Sequence, residues 1–211
     1  MRQEFEPLLH PVAITALRPT QMTVGMREVA QKRAEWHKIA ERSGPEFLGR
    51  HMLPVVRGPK QKLYLVDNHH LARALHEEKV SEVLVSVLAD LSKLEKTEFW
   101  SFMDSRNWLH TFDAKGERRL YADLPKSIGK LVDDPYRSLA GDLREAGGYS
   151  KDTTPYSEFL WADFLRRRID RKEVETDFEG AVNKALELSH LAEANHLPGW
   201  CGPTRTASDP P

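Results

Sequence analysis

Asp67, Asn68, His69 and His70 stand where an apolar run at residues 63–66 gives way to a helix-like stretch, "LYLVDNHHLARAL". A strand that stops at Asp67 and a helix that starts at His69 or His70 leave the first-turn N–H groups without intrahelical acceptors, and the helix dipole adds partial positive charge there. That is an anion seat, and imidazole N–H groups donate well to phosphate oxygens. Asn68 suits a left-handed turn better than most side chains. Asp67 has three uses open to it: capping the helix, holding a histidine tautomer, or reaching a metal. The competing reading is structural, with Asp67 as a plain cap, one imidazole satisfied by nearby backbone and the other in water. A two-histidine zinc site is disfavoured because adjacent residues do not share a helix face and Cys201 is the only cysteine.

Other candidates lie further off. In "MREVAQKRAEWHKIAERSG", residues 26–44, Met26, Val29, Ala30, Trp36 and Ala40 form an apolar stripe at helical spacing, with Gly44 as the expected stop. Arg33 and His37 fall inside that stripe, so Arg33 is expected to meet either a bound anion or an internal carboxylate, the ion pair being the simpler case. Glu28 lies opposite the stripe and is expected to face water. Near residue 166, Arg166, Arg167, Arg168, Arg171 and Lys172 follow an aromatic face of Phe159, Trp161 and Phe164, interrupted by Glu158, Asp163 and Asp170. Aromatics at that spacing are ordinarily core, and this patch is assigned to docking against the N-terminal unit rather than to phosphate contact.

The elements that must position these residues can be read from periodicity. "PVAITALRPTQ" reads as a short strand entering a loop, and "MLPVVRG" and "KLYLVD" as a hairpin around "GPKQ". "HHLARALHEEK" reads as a helix, and "VSEVLVSVLAD", with Val83, Val85 and Val87 alternating, as a return to the sheet. After Asp90 helix periods dominate, with "FDAKGERRLYADLP" as an irregular excursion or small hairpin. The expected fold class is therefore α+β: an α/β unit over 8–92 with a small mixed sheet, a helical region over 93–200 packed on it, and a mobile tail at 201–211 rich in Pro, Gly and small polar residues.

Charge narrows the function. Acids and bases nearly cancel at a formal net charge of -1, so the chain has no global field for nucleic acid, and DNA association is expected to be weak. One cysteine excludes an intramolecular disulfide. With no signal-like apolar run near the start and no apolar segment of membrane-spanning length, a cytoplasmic protein without membrane association is expected.

The order strand, "RPTQ" loop, helix, "LPVV" hairpin, "LYLVDNHHLARAL" turn and "VLVSVLAD" strand resembles the ParB/sulfiredoxin fold, and more narrowly the bacterial family called putative ParB-like nucleases, over roughly residues 8 to 200. The resemblance implies that the "DNHH" turn binds the phosphates of a nucleotide or phosphorylated small molecule. Asn68, His69, His70 and Arg33 would then be binding residues and Asp67, His69 and His70 catalytic ones. It also names ATP, ADP or CTP with Mg²⁺ as the cofactors to expect, and phosphoryl transfer or phosphoester hydrolysis as the chemistry. Departures bear on the reaction. Leu71 stands where the superfamily has an Arg, Arg73 lies on another helix face, no cysteine occupies the turn, and Gln21 replaces the glutamate of the free-serine kinases unless Glu28 substitutes. Metal hydrolysis ordinarily needs converging carboxylates, and only Asp67 is placed for it. The alternative reading is a non-enzymatic, DNA-associated or protein-interaction module in which the turn is structural.

Overall fold

The computed structural model describes residues 8–203, which fall into two compact units divided between Asp133 and Asp134. The class is α+β. In the first unit, β1 (Leu8–Ala13), β2 (Leu17–Pro19), β4 (Leu53–Gly58), β5 (Lys62–Leu65) and β6 (Glu82–Asp90) form one mixed sheet in the order β1-β6-β4-β5-β2. β4 and β5 make the expected antiparallel hairpin, whereas β6 joins β4, and β2 joins β5, in parallel. A second, two-stranded sheet pairs β3 (Thr23–Val24) with β7 (Val132–Asp133), strands too short to show any alternation in sequence.

Alternation along the strands sorts the core onto two faces. Leu17, Leu53, Val55, Leu65 and Val85 bury one face with α1 (Met26–Arg50) and α2 (His69–Glu77), which contribute Val29, Ala72 and Leu75. Val56 and Tyr64 look the other way and meet Phe99 and Met103 of α3 (Lys96–Ser105). That second face is why the unit does not end where the sequence changes character near residue 92. The chain must supply α3 to cover it, and the unit then runs on to Asp133. Helix α1 also departs from expectation. Its backbone breaks at Ser43 (φ -147°, ψ 26°), beside the expected stop at Gly44, but helix resumes to Arg50.

The excursion at 111–119 is a tight turn closed by a single antiparallel bridge between Phe112 and Arg118. Further along, the Arg73 guanidinium donates to the carbonyls of Gly129 (3.0 Å) and Leu131 (2.7 Å), and Asp133 Oδ1 accepts from the Met26 N–H at 2.9 Å. The segment before β7 is thus tied to α2 and to the start of α1.

The second unit holds α4 (Pro135–Glu145), α5 (Ser157–Arg166), α6 (Arg171–Thr176) and α7 (Phe178–Ser189). Trp161 is fully buried and stacks on Tyr149 with centroids 4.5 Å apart, while Phe164 is 4% exposed, so these two aromatics are core, whereas Phe159 is only partly buried. Of the expected tail, residues 204–211 lie outside the described residues. Among the described residues no helix is long and apolar enough to cross a membrane.

Candidate functional site at the start of helix α2

β5 delivers the chain to Asp67, and Asn68 turns it through the left-handed region (φ 61°, ψ 32°) into α2. Asp67 and Asn68 are exposed, while His69 and His70 are buried. Successive residues of a helix point about 100° apart, so two adjacent imidazoles reach two different targets. His69 Nε2 accepts from the Thr20 N–H at 3.2 Å, and His70 Nε2 accepts from the Gly25 N–H at 2.9 Å. Both targets belong to the loop of residues 20–25 that joins β2 to α1. Thr20 is held a second time, its hydroxyl donating to the Leu65 carbonyl at 2.7 Å.

The pairing of each ring nitrogen fixes its chemistry. An Nε2 that accepts must be unprotonated, so each neutral imidazole carries its proton on Nδ1. His70 Nδ1 lies 3.5 Å from Glu28 Oε2. Glu28 therefore turns toward the turn rather than toward water, because α1 starts directly beside His70. Burial pushes the pKa of His69 down to about 3, opposed more weakly by its hydrogen bond to the Leu65 carbonyl. His69 stays neutral across the physiological range.

Asp67 does not cap α2. Its Oδ1 accepts from the adjacent Asn68 N–H at 2.7 Å, and Asn68 as N-cap residue makes no side-chain cap either. The N-cap side chains of α4, α6 and α7 each accept from the first turn and α3 starts in a capping box, whereas α1 and α5, like α2, have no side-chain cap. Leu71, where the superfamily pattern has Arg, is a core residue at 5% exposure.

Arg33 is not brought to the turn. Its guanidinium pairs with Glu78 at 2.6 Å and Glu77 at 3.2 Å, and His37 joins Glu78 at 2.8 Å, all at the far end of α2. The Glu78 hydrogen bond raises the Arg33 pKa and correspondingly lowers that of Glu78. Neither side chain faces inward, Arg33 being 42% and His37 66% exposed, and the stripe position leads Arg33 to a half-exposed ion pair. The basic run of the second unit is likewise engaged: Arg166 with Asp134 and Asp163, Arg167 with Asp163, Arg171 with Glu175, and Arg168 over the Phe164 ring at 3.7 Å.

Thr20 and Gly25 are the site residues that sequence reasoning missed. The "RPTQMTVG" loop holds no carboxylate, and its contribution is main-chain N–H groups, which no residue type announces.

A family model described as Putative ParB-like nuclease matches residues 10–167 of the chain. Among solved structures, the chain is similar to the crystal structure of protein Atu1540 from Agrobacterium tumefaciens, at 54% identity and a TM-score of 0.86, covering 93% of this chain and 99% of that one. No curated protein matches it.

Proposed function

This chain belongs to the Putative ParB-like nuclease family, and from that premise we propose that it binds a nucleotide or phosphorylated small molecule at the start of α2. The observation that carries the reading is the exposed, left-handed Asn68 opening a helix with no side-chain cap, while both imidazoles turn inward and fix the 20–25 loop. On this reading the histidines brace the seat. The ligand is held by main-chain N–H groups of the first turn and by the Asn68 amide, with the helix dipole favouring phosphate.

Phosphoryl transfer or phosphoester hydrolysis, if performed there, falls to the exposed Asp67 carboxylate and the His70–Glu28 pair, since a neutral, buried His69 cannot relay protons near pH 7. Among the described residues no group of three or more His, Cys, Asp and Glu gathers to hold a metal. Mg²⁺ would accordingly enter with ATP, ADP or CTP and meet Asp67.

One observation favours the alternative of a purely structural turn: both Nε2 atoms are already engaged by backbone. Amide NMR during titration with ATP, ADP, CTP and inorganic phosphate, with and without Mg²⁺, separates the two. Saturable shifts at Asn68, His69 and Leu71, together with a raised melting temperature, are expected, because a ligand that binds only the folded state stabilises it. Amides at 68–71 that stay fixed at millimolar nucleotide would leave the structural reading standing and this one refuted.

A further inference from the structure

The first unit carries a second feature, independent of the α2 turn. A cavity of about 290 Å³ opens on the α3 face of the sheet, and no residue of the 67–70 turn lines it. Its lining holds five cations, Arg18, Lys60, Lys62, Lys96 and Lys126, and no Asp or Glu. Among the described residues none of the five forms an ion pair. They arrive from separate segments: Arg18 from β2, Lys60 from the β4–β5 turn, Lys62 from β5, Lys96 from the first residue of α3 and Lys126 from the loop after residue 123. Their convergence shows in Lys62, whose ammonium is held below the ordinary lysine range by Arg18 first, then by burial, then by Lys60, Lys126 and Lys96. In a chain of net charge -1, this is a local positive field with no acidic partner among the described residues.

The floor of the cavity is aromatic. Tyr64 packs on Phe99 and Trp100 with centroids 4.7 and 5.4 Å away, and Trp100 stacks on Tyr121 at 5.7 Å and 19°. Trp100 and Tyr121 are only partly buried, and both line the cavity. Gly58 permits the packing, since a Cβ there would stand 2.6 Å from the Tyr64 ring and 2.7 Å from that of Phe99. Lys60 holds a left-handed backbone (φ 58°) uncommon for a lysine.

We propose that this cavity binds single-stranded nucleic acid, seating one base against Trp100 and Tyr121 while successive backbone phosphates lie along the exposed lysines at its rim. A ring system needs a flat π surface, and a cavity of this size takes one base rather than several. Five uncompensated cations exceed what one phosphate group neutralises. Lys60, Lys96 and Lys126 are exposed, which suits a ligand that continues past the cavity. A duplex keeps its bases stacked away from such a floor.

The test is fluorescence anisotropy of the full chain with a labelled single strand of about ten nucleotides across a range of salt, at roughly 0.7 in log–log slope per phosphate contact. Replacing Lys60, Lys96 and Lys126 together by Gln is expected to reduce that slope by about 2. Tyr121→Leu is expected to weaken binding about tenfold, and Tyr121→Phe, which keeps the ring and loses only the hydroxyl bond to Asp104, to leave it unchanged. All three substituted lysines are exposed, so folding is preserved, and circular dichroism of each variant checks it. The proposal is overturned if the strand fails to bind at low salt, if the lysine variant binds with an unchanged slope, or if duplex, free nucleotide or inorganic tripolyphosphate competes as well as the strand. Asn68→Ala, at the α2 turn, should leave strand binding intact, so failure at either place is distinguishable from failure at the other.

Discussion

The densest run of cations in the sequence and the least conspicuous one have opposite fates. Arg166, Arg167 and Arg171 stand close together in the chain, and each finds a carboxylate within the second unit. Arg18, Lys60, Lys62, Lys96 and Lys126 are scattered over more than half of the first unit, and among the described residues none has an acidic partner. Spacing explains the difference. Residues three or four apart on a helix meet as neighbours, so Asp163 serves Arg166 and Arg167, and Glu175 serves Arg171. Cations gathered by tertiary folding have no such built-in partner. Local density of charge therefore says little about function here; pairing says more.

The comparison is tested most severely at Asp134. This carboxylate is 1% exposed, accepts from Arg166 at 2.6 Å and also caps α4 through the Tyr136 N–H at 3.1 Å. Asp134→Ala leaves the Arg166 guanidinium, itself 15% exposed, without its buried partner. A loss of about 3 to 5 kcal/mol is expected, read as a lower urea midpoint of the second unit. An unchanged midpoint would mean that the paired cations are no more structural than the unpaired ones.

A second test concerns the imidazoles, which behave like the paired group although they look like a ligand site. His69 has a pKa near 3 in the folded protein against an ordinary value of 6.5. Above pH 6.5 both folded and unfolded chains hold it neutral, and its contribution to stability is complete. As pH falls below 6.5 the unfolded chain gains a proton that the folded one refuses, so stability declines until the folded ring also protonates near pH 3. By pH 4 the decline amounts to about 3 kcal/mol. His69→Gln, whose amide oxygen can still accept from Thr20, should be somewhat less stable at pH 7 yet lose that acid-dependent part. Denaturation midpoints that fall equally with pH in both proteins would show that His69 is not the brace described.

How much of this was legible beforehand follows from the range of the signals. The β4–β5 hairpin, β6 and α2 were readable because alternation and turn chemistry are local, and the left-handed turn at Asn68 was readable for the same reason. The direction of the imidazoles was not. Their partners, the Thr20 and Gly25 N–H groups, lie 49 and 45 residues away and carry no side-chain signature. β3 and β7 are two residues each, shorter than any period. Arg33 shows the limit of a correct inference. Its stripe position rightly pointed to a partner, but only the packing of α1 along α2 decides that the partner is Glu78. The basic cavity was illegible for the strongest reason, since its five cations share no window of sequence.

The smallest effect is the sharpest for the comparison, because its sign is opposite. Lys62→Gln removes one of five mutually repelling charges and breaks no ion pair among the described residues. The first unit should unfold at an unchanged or slightly higher denaturant concentration, with any gain shrinking as added salt screens the remaining four. Strand binding should weaken at the same time. A cation maintained against repulsion and without a partner is one whose absence improves the fold and impairs the ligand. A structural lysine behaves in the reverse way, its loss lowering stability at every salt concentration and leaving binding per folded molecule alone. Should Lys62→Gln prove destabilising in the manner of Asp134→Ala, the cavity's charges belong with the paired arginines and the distinction between the two groups collapses.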